Sequence, residues 1–198
     1  MAQTVNLQTV LNSLHNLMGH RVNPGGTDDD YKRYIQASFD YCWRYYRWGF
    51  SLSPATVATD GLLPTDFDYD GYRDLGSINE VNLDETLSSG NTSSAIIYDT
   101  VLGRYKLSPA VAGNIIYQRT PPTLTTDTNV PFPSPQVIAL GATIYAKMGE
   151  NPTRADIQQE WDLFHSELDR LVGRADNAKP RSPRNYHSVR GGGTGYVG

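Results

Sequence analysis

A single cysteine, Cys42, is the only thiol in this 198-residue chain, so no intrachain disulfide can hold it together. Its stability has to come from a buried apolar core, and one thiol suits a reducing compartment. No apolar run approaches the roughly 18 residues of a membrane span, so no membrane partner is expected. The N-terminal Met-Ala-Gln-Thr-Val-Asn has neither the basic region nor the apolar block of a secretory signal, and the expected place of synthesis is the cytoplasm. A basic surplus is missing too. The formal net charge is −4, and residues 1–174 hold 13 Lys and Arg against 20 Asp and Glu, about −7. An acidic body argues against a DNA-gripping surface, which needs clustered Lys and Arg.

Catalytic patterns are also wanting. The four histidines, His15, His20, His165 and His187, stand on separate segments, and none pairs with another His or with Cys42 at metal-ligand spacing. There is no nucleophile elbow. Gly191-Gly192-Gly193 neither follows a strand nor opens a helix, so it is not a phosphate loop. Cys42 falls within an aromatic helical run, where burial leaves a thiol inert. No catalytic residue and no cofactor site is assigned.

What the chain does have is strong helical periodicity at both ends. Leu7, Val10, Leu11, Leu14, Leu17 and Met18 recur at helical spacing, with Gly19 as the stop. A second helix begins at Thr27 or Asp28, with three aspartates against its N-terminal dipole. Its face uses Tyr31, Tyr34, Ile35, Phe39, Cys42, Trp43, Tyr46 and Phe50. That aromatic density suits a broad packed face better than base stacking, because the flanking charge is mixed. Helicity resumes at Ser134-Pro135, an N-cap followed by proline at the first helical position. Val137, Ile138, Gly141, Ile144, Tyr145 and Met148 form that face, and Gly141 with Ala142 invites close approach of another helix. The last helix carries Ile157, Trp161, Phe164, Leu168, Leu171 and Val172 on one stripe, with Gly173 as its stop.

Between them, residues 51–133 lose the 3.6-residue period. Gly, Pro, Asn, Asp, Ser and Thr punctuate short β-branched and aromatic runs. The expected strands are 55–59, 77–83, 94–99, 104–107 and 114–118, with Val101-Leu102-Gly103-Arg104 as a hairpin connection. The fold class is therefore α+β: a bundle of about four helices from residues 1–50 and 134–174, with a small antiparallel β-rich insertion at 51–133. Residues 175–198 read as an extended docking tail. They carry four Lys and Arg against one acid, two prolines and five glycines, too little apolar surface to offset chain entropy alone. Arg181, Arg184 and Arg190 would pair with acidic groups on a partner, and Tyr186 and Tyr196 would be its aromatic anchors.

One motif invites a metal reading. Asp66, Asp68 and Asp70, with Gly71, match positions one, three, five and six of an EF-hand calcium loop. Position twelve should be a bidentate Glu and is Ser77, and Leu62-Leu63-Pro64 cannot be the last turn of an incoming helix. The expectation is no tight metal site, with a polar turn into the sheet as the plainer reading.

Three stretches carry a resemblance to a known family. They are Tyr34-Ile35-Gln36-Ala37-Ser38-Phe39-Asp40-Tyr41-Cys42-Trp43-Arg44; Leu63-Pro64-Thr65-Asp66-Phe67-Asp68, followed by Ile78-Asn79-Glu80-Val81; and Tyr117-Gln118-Arg119-Thr120-Pro121-Pro122-Thr123-Leu124. With the order helices, β insertion, helices and loose tail, the chain resembles the head-to-tail adaptor (connector) proteins of tailed bacteriophages over roughly residues 5–175. The resemblance implies a structural virion protein at the neck, between capsid and tail. It implies a ring, commonly of twelve copies, attached below the portal protein, with a downstream neck or tail protein beneath. Double-stranded DNA would pass through the lumen without specific binding, which an acidic body suits. The competing readings are another neck or tail-completion protein, a cation-dependent or hydrolytic enzyme centred on Asp66, Asp68 and Asp70, and a small nucleic-acid-binding protein using the aromatic helix and basic tail.

Overall fold

The computed structural model describes residues 4–18, 28–70, 95–110, 112–149 and 154–178. Among them are four helices: α1 (Leu7–Met18), α2 (Asp28–Tyr45), α3 (Pro135–Gly149) and α4 (Arg154–Ala178). Four short strands lie between α2 and α3: β1 (Leu52–Val57), β2 (Ala95–Asp99), β3 (Arg104–Ser108) and β4 (Gly113–Gln118). The fold is α+β, a helical part joined to a small antiparallel β part.

Local signals place the helices. Asn6 caps α1 reciprocally: the Thr9 N–H donates to Asn6 Oδ1 at 2.9 Å, and the Asn6 N–H donates to Thr9 Oγ1 at 3.0 Å. The chain just before α1 is pinned by mutual backbone bonds between Val5 and Val130 at 2.7 and 2.9 Å. Ser134 Oγ accepts from the Val137 N–H at 3.4 Å, and Pro135 opens α3, as the Ser-Pro pair predicts.

The helical core gathers Val10 and Leu14 of α1, Ile35, Phe39, Cys42 and Trp43 of α2, Ile138, Ala142 and Ile144 of α3, and Phe164, Leu168 and Leu171 of α4. At Gly141 α3 runs so close to its neighbours that an added Cβ would lie 2.2 Å from Ser38 Oγ of α2 and 2.9 Å from the Phe164 ring of α4. The buried Ser38 hydroxyl donates to the Ile138 carbonyl at 2.7 Å across the same crossing. The expected stripe of α4 divides in depth. Phe164, Leu168 and Leu171 are buried, whereas Ile157, Trp161 and Val172 are half-buried at its margin.

The β part is two two-stranded antiparallel pairs, β1 with β4 and β2 with β3. Leu52 faces Gln118 and Val57 faces Gly113 in the first pair; Ala95 faces Ser108 and Asp99 faces Arg104 in the second. Val57, Leu63, Phe67, Leu107, Ile115 and Tyr117 form a second, smaller apolar cluster.

Three expectations need correction. The last helix does not stop at Gly173. It continues to Ala178, into the stretch read as tail, because Gly173 makes no turn and Ala175 still packs on the core. The second helix ends at Tyr45 rather than near Phe50, after which the chain turns with Trp48 inward. The first strand is Leu52–Val57, starting three residues before the expected 55–59, because Pro54 is accommodated where a strand has a partner on one side only. The expected strand 77–83 lies outside the described residues.

Candidate functional site

Residues 34–44, 63–68 and 117–124 of the stretches that carry the sequence resemblance meet at the junction between the helical core and the β part, while Ile78-Asn79-Glu80-Val81 lies outside the described residues. Pro64 to Asp70 runs beside the end of β4. The Phe67 N–H closes a turn on the Pro64 carbonyl at 3.2 Å, the Asp68 N–H donates to the Gln118 carbonyl at 3.0 Å, and the Thr120 N–H donates to the Asp66 carbonyl at 2.8 Å. From α2, Trp43 Nε1–H donates to the Arg119 carbonyl at 2.7 Å, and Gln118 Nε2–H returns a bond to the Trp43 carbonyl at 2.8 Å.

Arg44 supplies the cation of this junction. Its Nε–H donates to Asp68 Oδ2 at 2.9 Å, and a terminal nitrogen lies 3.8 Å from Asp70 Oδ2. Asp68 is 2 % exposed, and the guanidinium beside it supplies a counter-charge for the buried carboxylate. Partial burial lowers the Arg44 pKa, but the Asp68 hydrogen bond and the Asp68, Asp70 and Asp40 charges outweigh it and hold the pKa above its ordinary value. Asp66 turns elsewhere, its Oδ1 accepting from the Tyr117 hydroxyl at 2.8 Å. A calcium loop needs its carboxylates to converge on one ion. Here two of them converge on Arg44 and the third bonds a tyrosine. Among the described residues, no group of three or more His, Cys, Asp or Glu side chains is gathered as metal ligands.

Beside the junction lies an open cleft of about 410 Å³, bordered by Trp43, Phe50, Asp66, Arg119, Val130 and Pro131. Arg119 donates to the Phe50 carbonyl at 2.9 Å and so fixes one wall.

The aromatic run of α2 is spent inside the molecule. Phe39 and Trp43 are buried. Tyr41 and Tyr45, which the expected helical stripe omitted, meet α4: the Tyr41 hydroxyl lies 2.7 Å from His165 Nε2, and the Tyr45 hydroxyl donates to Asp169 Oδ1 at 3.0 Å. The His165 ring stacks on Tyr45 on one contact and on Trp161 on another, with centroids 5.9 and 5.3 Å away. Desolvation and the Asp169 carboxylate push the Tyr45 pKa up to about 12. Burial drives the Cys42 thiol well above its ordinary range, so it stays protonated.

Of the residues singled out in the sequence, Asp66, Asp68 and Asp70 are therefore brought to one junction, while Arg181, Arg184, Tyr186, Arg190 and Tyr196 lie outside the described residues. The sequence reading missed Arg44 as the partner of the aspartates. It also treated Val101 and Leu102 only as a hairpin connection. Both side chains are turned to solvent, at 91 % and 56 % exposure, and two large apolar residues beside the turn glycine were the available signal. No protein-family model matches the chain, and no curated protein is significantly similar to it.

Proposed function

We propose that this chain is a head-to-tail adaptor of a tailed bacteriophage, a structural protein that assembles as a ring below the portal and continues the DNA channel toward the tail. One observation carries the reading: the described parts of the motifs behind the resemblance, residues 34–44, 63–68 and 117–124, are joined in space through Trp43, Arg44, Asp68, Gln118 and Thr120. The acidic body supports the same reading, since a channel for genome ejection should not grip phosphate.

In this reading the partners are further copies of the chain, twelve in a ring by the resemblance, with the portal above and a neck or tail protein below. The basic, glycine-rich C-terminal segment docks on the portal, with Arg181, Arg184 and Arg190 against acidic groups and Tyr186 and Tyr196 as anchors. Its glycines allow close backbone approach, as in strand addition to a partner sheet. The site within the virion is the neck.

The test is reconstitution of the full chain with the portal of its own phage, read by native mass measurement. A stoichiometric complex that forms with the full chain, and fails with a chain truncated after Ala178, supports the reading. A full chain that leaves the portal unoccupied at micromolar concentration overturns it.

A further inference from the structure

Residues 52–118 leave the helical core and return to it at one point. The Arg119 N–H donates to the Ser51 carbonyl at 2.9 Å, and the Arg119 guanidinium donates to the Phe50 carbonyl at 2.9 Å. Trp43 Nε1–H of α2 donates to the Arg119 carbonyl at 2.7 Å and ties this neck to the helices. The insertion therefore begins and ends one hydrogen bond apart, as a tolerated domain insertion does.

The apolar interior divides at the same place. Among the described residues, every member of the helical core stands before residue 52 or after residue 118, the partly buried side chains packed on it included. Every member of the smaller cluster stands between those limits: Val57, Leu63, Phe67, Leu107, Ile115 and Tyr117, with Ala55, Tyr69, Ile96 and Tyr105 packed against them. The two share no side chain. The junction bonds that cross from one to the other are polar, among them the Arg44–Asp68 pair and the Gln118 bond to the Trp43 carbonyl. Side chains buried against one another are lost together, whereas cores with no common member open separately. The β side is the weaker of the two. Its buried set is the smaller, and its strands form two two-stranded pairs, each marginal alone.

We propose that residues 52–118 are a cooperative unit of their own, which opens and recloses while the helical core stays folded and the neck at Ser51 and Arg119 stays shut. The closed neck is what makes this possible. With both ends of the insertion held beside Trp43, its strands separate without moving either of the two chain segments that build the helical core. The β part is then a module that the helical body carries, able to open at no cost to the packing of that body. This inference does not rest on the adaptor reading and stands or falls separately from it.

The test is residue-resolved, native-state amide hydrogen exchange on the full-length protein. In the wild type, the slowest amides of β1, β3 and β4 should exchange at least about tenfold faster than those of Ile35, Phe39, Ile138 and Ile144 in α2 and α3. Ile144→Val trims one methyl group from the helical core. It should speed the helix amides by about two- to tenfold and leave the strand amides unchanged, because the β unit opens without disturbing that core. Leu107→Ala/Ile115→Ala removes two buried side chains from the smaller cluster. It should abolish strand protection while the helix amides remain protected. Strand and helix amides that share one rate in the wild type overturn the proposal, as do strand amides that speed up with Ile144→Val. Loss of helix protection together with strand protection in the double variant overturns it too, since the whole chain would then unfold as one unit.

Discussion

Gly141→Ala is the sharpest probe of how the helices meet. The added methyl carbon would lie 2.2 Å from Ser38 Oγ and 2.9 Å from two carbons of the Phe164 ring. Neither neighbour has room to yield. Ser38 is fully buried and its hydroxyl is bonded to the Ile138 carbonyl, and Phe164 is fully buried in the core. Overpacking a tight core costs about 1–3 kcal/mol, and displacing the Ser38 hydroxyl forfeits a hydrogen bond worth about 1 kcal/mol. Against this, Gly→Ala in a helix gains about 0.8–1 kcal/mol of propensity. The net expectation is destabilisation by about 2–3 kcal/mol, near the top of the overpacking range because two buried groups are struck at once. Urea denaturation of the full-length variant against wild type reads it directly. A Ser38→Ala background should recover about 1 kcal/mol of the loss, and no more, because the Phe164 contact persists. A Gly141→Ala protein within 0.5 kcal/mol of the wild type, or more stable, would show that the close crossing of α2, α3 and α4 is wrong.

Gly173→Ala should do the reverse: its Cβ meets nothing within 4 Å in the C-terminal part of α4, so the same substitution should stabilise by about 0.5–1 kcal/mol in the same assay. Arg44→Ala strips the buried Asp68 of its counter-charge and should cost about 2–3 kcal/mol, less than the ~3–5 kcal/mol of a fully buried pair because Arg44 is partly solvated. Adding Asp68→Asn should restore part of that loss, and equal damage with or without it would remove the ion pair as the cause. Desolvation raises the Asp40 pKa in the folded protein above its unfolded value, against the opposing Gln36 bond and Arg44 charge. The folded state thus takes up this proton first as pH falls, so Asp40 contributes a rise in stability from its raised folded pKa down toward the unfolded value near 4. In Asp40→Asn, which keeps the oxygen that Gln36 bonds, that segment of the pH–stability curve should flatten; an unchanged slope would refute it.

The helical half was legible because amphipathic periodicity reports packing directly. Val10, Leu14, Ile35, Phe39, Ile138, Ile144, Phe164 and Leu168 were all placed on the inner faces and are all buried. What periodicity cannot report lies just past a helix end. Trp48 is among the largest fully buried side chains, stacked on Phe50 and edge-on to Phe132, with its Nε1–H donated to the Cys42 carbonyl at 2.9 Å. It is off the α2 stripe because the helix has already ended at Tyr45, and the helix ends there for tertiary reasons that no local capping signal announces. Phe132, between two prolines in the stretch that lacks helical periodicity, is wholly buried. Conversely, Gly173 carries a stop signal that the packing of Ala175 overrides, at a helix-interior glycine cost of about 1 kcal/mol.

The site was legible in its parts and not in its connections. Asp66, Asp68 and Asp70 stand out by their spacing, and spacing alone suggests an ion. The partner of Asp68 and Asp70, Arg44, lies 24 residues before Asp68 and stands in the sequence only as the end of the stretch 34–44. An acidic cluster in a sequence has two ways to be neutralised, by a bound cation or by a basic side chain from elsewhere in the fold, and one-dimensional spacing does not separate them. The choice has consequences. A metal would make the junction depend on its supply, whereas Arg44 ties α2 to the end of β4 permanently through Asp68. The β part is thereby fixed to the helical core at the place where the chain passes out to it and returns. The hairpin is tied to that mount in turn, since the Leu63 N–H donates to the Tyr105 carbonyl at 3.0 Å and the Leu107 N–H to the Gly61 carbonyl at 2.9 Å.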